Sequence, residues 1–82
     1  MNWIFPKING KHSEEVTIKN LLSEIDEFQE EVNLEEKAME AIDILHSAET
    51  LVRQFFMRNQ SLSANKIRDK VIQKNDKRKY YT

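Results

Sequence analysis

The chain contains no cysteine, one glycine and one proline among its 82 residues. The lack of thiols excludes a disulfide framework, a thiolate nucleophile and a cysteine-ligated zinc site, and it argues against a small secreted scaffold. So little glycine and proline leaves few places for turns, which points to helices. No window approaches the roughly 18 uninterrupted apolar residues of a membrane span. The opening MNWIFPKING has neither the apolar run nor the cleavage site of a signal peptide. The expectation is a single small all-α domain, cytoplasmic, without a membrane partner.

What is abundant is charge, and it is divided. Residues 1–49 hold twelve acids against four bases, whereas residues 50–82 hold nine bases against two acids; the net charge of −1 conceals this split. A chain devoted to nucleic acid would be basic throughout, so nucleic acid is not the expected partner. An acidic front and a basic end suit a site that holds a cation and an anionic ligand together.

Residues 1–12 contain the only Gly and Pro together with Trp3, Ile4, Phe5 and Ile8, and read as an irregular arm with an apolar patch. Ser13 is an N-cap followed by Glu14 and Glu15, acids that the helix dipole favours there. A first helix is expected to about Val32, since Ile18, Leu21, Leu22, Ile25, Phe28 and Val32 form one apolar stripe. Asn33 breaks it and caps a second helix, with Glu36 three residues on completing a capping-box-like pattern. That helix spans about Leu34 to Arg58, with a broad apolar face that includes Phe55 and Phe56 in its core. Between Ile44 and Phe56 its only full charges are Glu49 and Arg53, too few for a solvated surface, so a second subunit is expected to cover it. NQSLS (59–63) is the next break, and a third helix begins near Ala64. The expected layout is a 1–12 arm, a 13–74 helical core and a 75–82 basic tail.

Glu24 and Glu27 on the first helix, and Glu40 and Asp43 on the second, are each spaced i, i+3 and share a side of their helix. In an antiparallel hairpin turning at Asn33, Glu27 lies six residues before the turn and Glu40 seven after it. Glu24 lies nine before and Asp43 ten after. Each facing pair is then level to within about 1.5 Å. On a helical wheel Glu24, Glu27 and Glu40 border the apolar faces, while Asp43 lies further round. Four carboxylates held together raise one another's pKa unless a cation neutralises them. Their all-oxygen chemistry suits Mg²⁺, or Mn²⁺ as a substitute, ahead of Zn²⁺. With ten Glu and four Asp in the chain, this spacing alone is a weak motif.

The order EIDE, a gap of twelve, then EAID resembles the ExxE–(12–28)–ExxD signature of the MazG-like, all-α nucleoside triphosphate pyrophosphohydrolases. The ending KNDKRKYY resembles the KNxxRGYY ending of short, often phage-encoded members, and the two matches together span about residues 21–81. Lys79 stands where the family usually has Gly, and the chain is shorter than many members.

The resemblance implies a helical hairpin plus a third helix, assembling as a homodimer or homotetramer into a four-helix-bundle-like core. It also implies hydrolysis of an NTP or dNTP to the monophosphate and pyrophosphate. Glu24, Glu27, Glu40 and Asp43 would bind Mg²⁺, with Glu24 or Glu27 activating water. Lys74, Asn75, Arg78 and Tyr81 would contact substrate, Lys74 and Arg78 by neutralising phosphate oxygens. Trp3, Phe5, Tyr80 and Tyr81 are the candidates for base stacking, although for Trp3 and Phe5 packing of the arm is the plainer role. His12 and His46 read as polar residues rather than ligands. The competing expectations are a non-enzymatic helical interaction module whose basic tail binds nucleic acid or an acidic partner, and a family member that binds nucleotide without turnover.

Overall fold

A computed structural model describes residues 1–8 and 12–81. They contain three helices, α1 (Glu14–Glu30), α2 (Leu34–Arg58) and α3 (Ala64–Lys77), and no strand. Each starts on a polar cap: Ser13, Asn33 and Ser63 accept from the Val16, Glu36 and Lys66 backbone N–H groups. The sequence places the start of α2 correctly but misreads how the turn is closed. The Asn33 N–H donates to Glu31 Oε1 rather than to Glu36, and Val32 N–H donates to the same oxygen. Because Glu31 captures both N–H groups, α1 stops at Glu30, two residues short of the expected end, and leaves Val32 91% exposed.

α1 and α2 pack as an antiparallel hairpin, whereas α3 makes little contact with either. The facing side of α1 is Thr17, Leu21, Glu24, Ile25 and Phe28; Ile18 and Leu22, expected in the same stripe, remain exposed. On α2 the facing residues are Lys37, Glu40, Ile44, Ser47, Ala48 and Leu51, with the Lys37 ammonium 4.4 Å from the Phe28 ring centroid. Phe28 and Phe56 are half-buried, but Phe55 is exposed, because α3 does not close over that side of α2.

Part of the nearly uncharged second half of α2 is covered by the arm of the same chain. Glu49, only 9% exposed, accepts the Ile4 and Phe5 backbone N–H groups at 2.8 Å each. Arg53 donates to the Phe5 carbonyl, lies 3.4 Å from Glu49 Oε1 and stacks 4.7 Å above the Trp3 ring. Phe5 stacks on His46 with centroids 4.5 Å apart. A buried acid needs such partners, since leaving it unpaired is costly. Burial by itself would raise the Glu49 pKa, but the two N–H donors and Arg53 outweigh it and hold the carboxyl below its ordinary value.

Among the described residues no apolar side chain is fully buried. The radius of gyration is 14.8 Å, against about 12 Å for a compact domain of this length. Leu34, Ala38, Ala41, Leu45, Ala48, Val52 and Phe55 recur along α2 at alternating spacings of four and three, a coiled-coil-like seam, and Leu34 and Leu45 on it are 84% and 43% exposed.

Candidate functional site

The hairpin brings acids of both helices together. Glu40 lies beside Glu27 and within the charge field of Glu27, Asp43 and Glu24. Its pKa is raised, first by burial and then by these neighbouring acids. Glu27 and Glu40 therefore face each other as the level argument requires. Glu24 does not meet Asp43 directly. Its Oε2 accepts a 2.6 Å hydrogen bond from Ser47 Oγ, one turn further along α2.

Side-chain direction accounts for this. Cα–Cβ bonds lean toward a helix's N-terminus, so Glu24 leans away from the turn while Ser47 leans back toward it. Asp43 lies further round α2 and is exposed, in line with its place on the wheel. Among the described residues no three acidic or histidine side chains stand close enough to form a ready-made metal site. The donor chemistry nonetheless suits a hard divalent cation, since carboxylates of two helices crowd Glu40 and raise its pKa.

The basic residues of the sequence motif lie elsewhere. α3 continues through Lys77 and Arg78 caps it in helical conformation, so Lys74 and Arg78 project from one side of a continuing helix, and both are exposed. Tyr81 is exposed as well, and Asn75 is half-buried. The described ion pairs include none between these cations and the carboxylates. Lys79 adopts φ 60°, the left-handed region glycine favours, at the motif's usual Gly position. Its N–H donates to the Asp76 carbonyl at 2.9 Å and the Tyr80 N–H donates to the Asn75 carbonyl at 3.0 Å, the paired bonds of a Schellman cap. Lysine thus adopts, at this position, a conformation that glycine favours.

Two features escaped the sequence reading. Ser47 follows Glu40 and Asp43 on the same face of α2, a signal that was present in its spacing. Glu49 and Arg53, in sequence only the two charges of an otherwise uncharged stretch, are the anchor of the arm, and nothing in their spacing names the arm as their partner. Trp3 and Phe5 pack the arm against α2, and His46 supports Phe5.

No protein-family model, curated protein or solved structure matches the chain. No helix of the described residues is long and apolar enough to cross a membrane.

Proposed function

We propose that the chain is a Mg²⁺-dependent nucleoside triphosphate pyrophosphohydrolase of MazG-like type, converting an NTP or dNTP to its monophosphate and pyrophosphate. The observation that carries this reading is the Glu40 environment, in which acids of α1 and α2 converge and raise its pKa. The left-handed Lys79 in the KNxxRGYY-like ending supports it independently.

Glu24, Glu27, Glu40 and Asp43 would hold the Mg²⁺ or Mn²⁺. A bound divalent ion supplies the positive charge that lets a triphosphate approach four carboxylates and that stabilises the departing pyrophosphate. Glu24, fixed by Ser47, or Glu27 orients the water and takes its proton as the water oxygen bonds to the α-phosphorus. The bond from that phosphorus to the bridging oxygen breaks, and pyrophosphate leaves. Lys74 and Arg78 neutralise phosphate oxygens, with Asn75 and Tyr81 beside them on the tail. Among the described residues these groups make no ion pair with the carboxylates, and the reading puts the tail of one copy at the hairpin of another. The exposed seam on α2 supports a homodimer or homotetramer.

The test is pyrophosphate release from a panel of canonical and modified NTPs and dNTPs, with and without Mg²⁺, beside Glu40→Gln. Metal-dependent release that the substitution abolishes is expected. No release from a folded, oligomeric protein would refute turnover and leave nucleotide binding alone, or a helical interaction module, as the function.

A further inference from the structure

We infer that two copies of this chain pair face to face through the open seam of α2, with their α2 helices antiparallel. The first half of the seam, Leu34, Ala38, Ala41 and Leu45, is exposed, and so is Phe55 at its end. Toward the end of α2 the seam runs into an apolar groove of about 420 Å³, where Val52 and Phe56 stand against Ile67, Val71 and Ile72 of α3. Val71 and Ile72 are themselves exposed, because α3 makes little contact with the hairpin. An apolar face that recurs at spacings of four and three is the kind that a second helix covers.

Side-chain size selects the direction. In antiparallel order Ala38 meets the partner's Phe55, Ala41 meets the partner's Val52, and Leu45 meets the partner's Ala48. Each of these layers joins one alanine to one larger side chain, as a seam packed without voids requires. All three couples are centred between His46 and Ser47, at the middle of α2, so the helices overlap along nearly their whole length of about 37 Å. The face is self-complementary, and every couple occurs twice about the two-fold axis. Parallel helices in register would instead set Ala38, Ala41 and Ala48 each against itself, leaving gaps between the Leu45 and Phe55 layers.

Charge selects the same direction. The hairpin tip carries Glu30, Glu31, Glu35 and Glu36 against Lys37. Helix α3 carries Lys66, Arg68, Lys70, Lys74 and Lys77 against Asp69 and Asp76, with Arg68 at the groove. Since α3 stands at the end of α2 remote from the tip, antiparallel copies set the basic α3 of one beside the acidic tip of the other. Parallel copies would set tip beside tip and α3 beside α3, where like charges repel. The inference rests on the seam and the charges and on no step of the proposed chemistry. It fixes how the copies are arranged, which the proposed function leaves open.

The test exploits the absence of cysteine. Full-length Ala41→Cys and Val52→Cys chains are mixed in equal amounts, unfolded and refolded together under reducing conditions, and oxidised in a glutathione buffer. Mass spectrometry then separates the mixed disulfide dimer from the two same-position dimers. A disulfide needs Cα atoms within about 7 Å of each other. In the antiparallel pair positions 41 and 52 face each other, while two cysteines at position 41 lie about 16 Å apart along the axis. The mixed dimer is expected to exceed the same-position dimers at least about fivefold. An excess of same-position dimers shows parallel helices and overturns the inference. So does the lack of preference that the same chains show in guanidinium chloride. Ala38→Cys with Phe55→Cys is expected to give the same excess, and it replaces the first pair if either of those variants loses its helical circular dichroism. Pyrophosphate release is read separately: a mixed disulfide without turnover supports the pairing and refutes only the proposed chemistry, whereas turnover with same-position disulfides overturns only the pairing.

Discussion

Replacing Lys79 by glycine isolates one strained residue. Lys79 sits at φ 60° with its own N–H and that of Tyr80 closing the end of α3. An L-residue other than Gly pays about 1–2 kcal/mol in this region, while glycine's greater freedom in the unfolded chain returns about 0.5–1 kcal/mol of the gain. The net stabilisation for Lys79→Gly is therefore about 0.5–1 kcal/mol, or roughly a two- to fivefold shift toward the capped helix. Since α3 makes little contact with the hairpin, the gain is local and global melting temperature is a poor readout. Amide hydrogen exchange is the suitable assay: protection of the Lys79-position and Tyr80 amides should rise about two- to fivefold. Lys79→Ala should bring no gain, because alanine keeps the Cβ. Unchanged or reduced protection in the glycine variant would show that the left-handed turn is not what residue 79 contributes.

The remaining expectations concern charge and assembly. Glu40 titrates above its ordinary value of 4.5 in the folded chain, so the folded state binds the extra proton; the stability this gives is full below that value and is lost as pH rises through the raised pKa. Glu40→Gln should therefore melt higher than the parent at pH 7 and close to it at pH 4, and a lower melting temperature at pH 7 would refute the crowding of acids. Glu49 shifts the other way, below 4.5, so its contribution is present above that value and is lost as pH falls through the lowered pKa. Acid should release the arm, seen as a red shift in the emission of Trp3, the only tryptophan, and Glu49→Gln should show the released emission at neutral pH. Sedimentation should give a mass above the 9.8 kDa of one chain at micromolar concentration, with Leu45→Glu reducing it to the monomer. A monomeric parent would refute the oligomer.

Local physics was legible in the sequence because it is written in neighbouring residues. The caps at Ser13 and Asn33, the bounds of α2 and the i, i+3 acid pairs follow from residue type and spacing, and the level of Glu27 with Glu40 needs only the turn's place and the helical rise. The end of α1 was less legible, since two side chains competed for the Asn33 N–H and Glu31 took it from the nearer side.

What the sequence alone determined is an all-helical chain with its acids in front, its bases behind and carboxylates aligned across one hairpin. Only the tertiary structure decided which groups meet. It gave Glu24 to Ser47 instead of Asp43, through the lean of side chains on antiparallel helices. It turned Glu49 and Arg53 inward onto the arm, about 45 residues away in sequence, because a buried charge is stable only where donors converge on it. Such convergence depends on how elements pack, and no spacing within one helix encodes it.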